Sequence, residues 1–124
     1  MSLDISSSPL QQIATRISLG GSLDSDTAPA LEQRLEAILA NRTTRLVFDL
    51  SELAFVSSAG LRVIFKAQKK VEAAGGEVVM VNLRPQVAKV FEIVKQLPSW
   101  SIFQNDAEMD EYLQAIQSKS ADQS

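Results

Sequence analysis

Two adjacent serines, Ser57 and Ser58, stand where a strand-like apolar run gives way to a helical pattern. They are the side chains of this sequence best placed for chemistry. A serine at the start of a helix uses its oxygen to hold a first-turn amide. A second serine beside it is left near backbone N–H groups that have no partner within the helix, at the positive end of the helix dipole. Helix N-termini favour anions, so a phosphate is tolerated there. It would add roughly -1.5 to -2 charge and three acceptor oxygens at the surface. Taken alone, such a pair is simply a helix cap. Its enzymatic use, a serine nucleophile at a strand-to-helix turn, needs a base, and the sequence has no histidine and no Gly-x-Ser-x-Gly pattern. There is also no cysteine, which excludes disulfides, zinc–thiolate sites and thiol nucleophiles. Gly20-Gly21 and Gly75-Gly76 have neither the spacing nor the lysine of a phosphate cradle. Asp106, Glu108, Asp110 and Glu111 read as charges complementing a helix start, without the converging partners of a metal site. No catalytic residue, cofactor or metal is expected.

The elements that must position the serines follow from periodicity. Ile13, Thr15, Ile17 and Leu19 alternate with polar or small residues as a half-buried strand. Residues 3–6 suggest a short partner strand, Ser8-Pro9 the break between the two, and Gly20-Gly21 the end of the longer one. Asp24-Ser25-Asp26 offers helix caps before Pro29, and Leu31, Leu35, Ile38 and Leu39 recur at helical spacing. Leu46-Val47-Phe48-Asp49-Leu50 fits a strand buried on both faces, with Asp49 at its end and a loop leading on to the serines. The following helix carries Leu61, Ile64, Ala67 and Val71 on its inner stripe and closes at Gly75-Gly76. Arg62, Lys66, Lys69 and Lys70 gather on its other side, a solvated face or a dock for an acidic partner. Gly60 either brings the first turn close to the sheet or leaves its face open to a partner. Residues 78–81 with Leu83 suggest another buried strand. Pro85 opens a helix with Val87, Val90, Phe91, Val94 and Leu97 inside, and residues 100–103 suggest a last short strand. Asn105 with Glu108 resembles a capping box before an amphipathic helix through Met109, Leu113 and Ile116. Residues 118–124 are polar and expected to be a disordered tail. Strands alternating with helices imply crossover units. The fold class expected is α/β: one domain over residues 1–117, with a mixed, mainly parallel sheet of about four to five strands and about four helices.

The run Asp49-Leu50-Ser51, a short apolar stretch, then Ser57-Ser58-Ala59-Gly60-Leu61-Arg62 resembles the signature of STAS domains in bacterial anti-sigma factor antagonists. Gly21-Ser22-Leu23-Asp24 is similar to the family's turn before the first helix. Gly75-Gly76-Glu77-Val78-Val79-Met80-Val81 is similar to its glycine-strand element, and Leu83-Arg84-Pro85-Gln86-Val87 to the start of its third helix. The resemblance implies that Ser58 is a phosphoacceptor and that Asp24, Ser57, Ser58, Gly60, Leu61 and Arg62 form a partner-binding surface. The implied partners are an anti-sigma factor that is itself a serine kinase and a metal-dependent serine phosphatase. Two positions depart from the pattern: Ser57 stands where many members have aspartate, and Gln96-Leu97-Pro98 replaces a Gly-Leu pair.

Composition agrees with such a role. Apolar residues make up 45% and charged residues 22% of 124, an ordinary globular balance. The net charge of -3 argues against nucleic acid as a partner, and no apolar run approaches the ~20 residues of a membrane span. A cytoplasmic monomer or weak dimer, binding rather than catalysing, is expected. The alternative is a STAS scaffold module of a stress-signalling or lipid-transport complex.

Overall fold

A computed structural model of the chain describes residues 2–11, 14–40, 45–97 and 99–122. Its sheet has four strands: β1 (Leu3–Gln11), β2 (Ala14–Leu23), β3 (Arg45–Val56) and β4 (Glu77–Val81), in that spatial order. The first pair is antiparallel and the other two are parallel. The helices are α1 (Ala28–Leu39), α2 (Ser58–Ala73), α3 (Pro85–Gln96) and α4 (Asp106–Asp122), with a 3-10 turn at Trp100–Ile102. The mixed, mainly parallel α/β architecture is therefore the expected one.

Alternation along the two central strands decides which face is covered. Ile17, Leu19, Leu46, Phe48 and Leu50 point into one core cluster shared with Leu31 and Leu35 of α1, Leu61 and Ile64 of α2, Val90 of α3 and Leu113 of α4. Arg16, Ser18, Val47 and Asp49 alternate with them and lie outside that cluster. So β3 is not embedded between two apolar layers, as its apolar run suggested. Its outer side carries an ion pair between Arg16 and Asp49 instead. β4 is likewise a partly buried edge strand rather than a buried one.

Several boundaries move for identifiable reasons. β1 continues through Ser8-Pro9, because proline is tolerated on an edge strand, and the register shifts between Pro9 and Gln11. β2 continues through Gly20-Gly21 to Leu23, with register shifts against β3 on either side of the glycines. Ile13 lies outside the described residues. β3 runs on to Val56, so no loop precedes the serines. Residues 100–102 form a 3-10 turn in place of a strand, with Trp100 edge-on to Phe65 at 5.8 Å. α4 continues to Asp122, where a disordered tail was expected from residue 118; residues 118–122 contain no glycine or proline to stop it. The α2 stripe behaves as its spacing demands. Gly75, at φ +87, ends the helix in a Schellman arrangement, its N–H donating to Glu72 O at 3.0 Å and that of Gly76 to Val71 O at 2.8 Å.

Candidate functional site

The site is the corner where β3 passes into α2. Ser57 is the only residue between them, held extended at φ -101 and ψ 176. Its Oγ accepts the Gly60 N–H at 3.3 Å, which makes Ser57 the N-cap. Its N–H donates to Leu23 O at 2.8 Å, tying the junction to the end of β2. Asp24 follows Leu23 directly, and its Oδ1 accepts the N–H groups of Asp26 at 2.9 Å and Thr27 at 3.1 Å. It orders the turn into α1, whose N-cap is Thr27 rather than one of the three residues 24–26. Asp24 and the serine pair are thus neighbours in space as well as in the family pattern.

Gly60 answers one open question. A Cβ at this position would meet Leu23 Cγ at 2.5 Å and Cδ2 at 2.8 Å, so the missing side chain is what lets α2 seat against the end of β2. Leu61 is fully buried in the core. It supports the corner from beneath and does not line a surface, because it begins the inner stripe of α2. Arg62 is exposed, one turn along from Ser58. It pairs with Asp106 Oδ1 at 2.7 Å and lies 5.4 Å from the centre of the Trp100 ring. Lys66 reaches Glu32 at 3.9 Å.

Ser58 is the main departure. A phosphoacceptor at the start of a helix calls for an exposed hydroxyl, and Ser58 does begin α2, yet only 1% of its surface is accessible. α4 lies against the junction and contacts Ser58 at its backbone. Asp110 Oδ1 accepts the Ser58 N–H at 2.9 Å. Gln117, itself buried, grips the last residue of β3 at both backbone groups: its Oε1 accepts the Val56 N–H at 2.9 Å and its Nε2 donates to Val56 O at 2.8 Å. In the sequence Asp110 is one of several helix-start charges, and no local pattern marks Gln117. Both partners are more than 50 residues away, beyond any local pattern. Asn105, by contrast, caps α4 as its spacing suggested, its Oδ1 accepting the Glu108 N–H at 2.8 Å.

Below the corner, Asp49 accepts a bond from the Arg16 guanidinium, the Ser51 N–H at 3.1 Å and the Asn82 side-chain amide at 3.4 Å. The guanidinium above all holds its carboxyl down at a pKa of about 2, against 3.8 ordinarily. Among the described residues no group of acidic side chains is placed to hold a metal ion, and no helix is long and apolar enough to cross a membrane.

The sequence profile of the STAS domain matches residues 9–109. The chain belongs to the STAS domain family. BtrV of Bordetella bronchiseptica, provisionally named an anti-sigma factor antagonist, is 41% identical to this STAS domain over 75 residues, which are 60% of this chain and 65% of that protein. The anti-sigma-F factor antagonist RsfB of Mycobacterium tuberculosis is 38% identical over 55 residues, 44% of this chain and 45% of its own length. The aligned stretch spans less than two thirds of either relative. The solved anti-sigma factor antagonist SpoIIAA, in its unphosphorylated form, superposes with a TM-score of 0.68 over 74% of this chain and 81% of its own, at 22% identity. That likeness is one of fold.

Proposed function

We propose that this STAS domain is an anti-sigma factor antagonist. Its unphosphorylated form binds an anti-sigma factor that is also a serine kinase, and a sigma factor is freed. The kinase moves the γ-phosphoryl group of ATP onto the Ser58 Oγ, releasing ADP and the hydroxyl proton, and binding ends. A metal-dependent phosphatase restores the serine by hydrolysis. The protein itself catalyses nothing in this scheme and works in the bacterial cytoplasm as a monomer or weak dimer, without nucleic acid or membrane.

The observation that carries the reading is the position of Ser58 as the first residue of α2, directly after its cap and beside the Asp24 turn, in a chain whose relatives BtrV and RsfB bear the antagonist name. Asp24 and Arg62 are the outward groups of the surface, with Ser57, Ser58 and Gly60 beneath. The burial of Ser58 counts directly against phosphorylation of the protein in this form, and the reading requires a state in which the Ser58 hydroxyl reaches solvent.

A switch with a hundredfold loss of affinity needs only ~2.7 kcal/mol. A doubly charged group placed in a desolvated contact supplies that. The kinase is to be captured from native lysate on the unphosphorylated protein, identified, and titrated against two variants. Ser58→Ala should bind permanently and Ser58→Asp poorly. Equal affinities would overturn the switch, and capture of no anti-sigma factor would overturn the assignment.

A further inference from the structure

The side of α4 that faces the β3–α2 corner holds an ordered set of polar contacts. Asp106, Asp110, Leu113 and Gln117 follow one another at helical spacing and form a single stripe. Leu113 is fully buried. The other three bind successive positions of the junction in reverse order: Gln117 to Val56, Asp110 to Ser58 and Asp106 to Arg62. α4 is therefore seated in one register, with its specific bonds on the segment that carries the serine.

The chemistry of that seat matters more than its tightness. The Ser58 N–H is a first-turn donor with no partner inside its own helix, and an anion is what it prefers. Asp110 already supplies one. The Gly60 N–H is taken by Ser57 Oγ. A phosphate on the Ser58 side chain would bring roughly -1.5 to -2 charge against the Asp110 carboxylate, at a contact that is partly buried. Two anions cannot share that donor without a large cost.

We propose that α4 is an internal cover for Ser58, and that Asp110 is the anion a phosphate displaces. The serine is reachable only while the C-terminal half of α4 is lifted, and phosphate, once attached, keeps it lifted. From Asp110 onward that half is anchored by Asp110, Leu113, Ile116 and Gln117, with only polar residues and one alanine beyond. Such a segment belongs to the part of a fold that opens locally, well before global unfolding. Linkage makes the two events mutually exclusive: whatever favours closure disfavours modification to the same extent.

The inference rests on reading Ser58 as the phosphoacceptor, but its test needs neither kinase nor sigma factor, so the two can fail separately. Phosphoserine is to be incorporated during translation at position 58 and, as a control, at the exposed position 25. Amide hydrogen exchange then reports on residues 110–117. Phosphoserine at 58 should speed exchange there about tenfold or more while the β2 and β3 amides keep their protection. Phosphoserine at 25 should leave α4 unchanged. In the protein phosphorylated at 58, Asp110→Asn should restore several-fold protection, because an amide can bond the phosphate without repelling it. Unchanged α4 exchange, or protection lost evenly from α4 and the central strands, would overturn the cover. Failure of Asp110→Asn to restore any protection would remove Asp110 as the displaced anion.

Discussion

Ser57 and Gly60 do different work in the same helical turn, and each can be tested alone. Ser57→Ala removes the cap on the Gly60 amide and should cost about 1 kcal/mol in urea denaturation. In the scheme proposed above, Ser58 would remain the residue that is labelled. Gly60→Ala ought to gain from helix propensity, by about 1 kcal/mol. It should instead lose about 1–3 kcal/mol, because the new methyl meets the Leu23 side chain at 2.5–2.8 Å within a packed core. Combining it with Leu23→Ala should cost less than the two single losses added together, the mark of a direct clash. Strict additivity would mean that the glycine serves something other than that contact. The cap was legible in the sequence because its donor is three residues away. The contact with Leu23 was open to two readings, since nothing local says what a missing side chain faces.

Among the elements, β2 and β3 are joined on their outer side by Arg16 and Asp49. The folded pKa of Asp49 is depressed, so the pair's contribution is complete above the unfolded value of 3.8 and fades as the pH falls toward about 2. Arg16 is 38% exposed, which limits the contribution to the order of 1–2 kcal/mol. Arg16→Gln should therefore flatten the acid limb of the stability profile between these values and leave its shape near neutrality unchanged. Denaturant titrations at several pH values would show it, and parallel acid limbs for both proteins would refute it. The apolar run in β3 announced a strand correctly. It did not reveal that only one side faces the core, because Val47, between Arg16 and Val79 on the neighbouring strands, is buried just as it would be under a second layer of helices. The helices were more legible: their apolar stripes repeat over several turns, and Pro29, Asn105 and Gly75 mark ends that local chemistry fixes. α4 ran past its expected end because polarity alone does not terminate a helix.

For the molecule as a whole, one core cluster draws on the two central strands and on all four helices, with partly buried residues of both edge strands packed against it. Such a core should melt as one unit. Trp100 is the sole tryptophan, packed near Phe65 and Arg62, and its fluorescence should follow the same denaturation curve as far-ultraviolet dichroism. Separate midpoints would divide the chain into independent parts. The order of strands and helices was readable from the alternation of their periods. The docking of α4 on the junction was not, because Gln117 and Asp110 find partners that only the completed chain brings near. What sequence reading missed at the corner is therefore long-range: the serine pair at the start of a helix was legible, and its contacts with α4 were not.

A central strand and a helix separated by a single residue have no slack between them. Ser57 is bonded at its amide to β2 and at its hydroxyl to the first turn of α2, and there is no loop whose rearrangement could cushion a disturbance. Mechanically the corner is an anvil. Force applied at Ser58 passes to whichever neighbour yields first, and behind it lie the paired central strands. A binding partner would then meet the same edge of Asp24 and Ser57 before and after modification. The two states would differ in what lies over that edge and leave its shape unaltered.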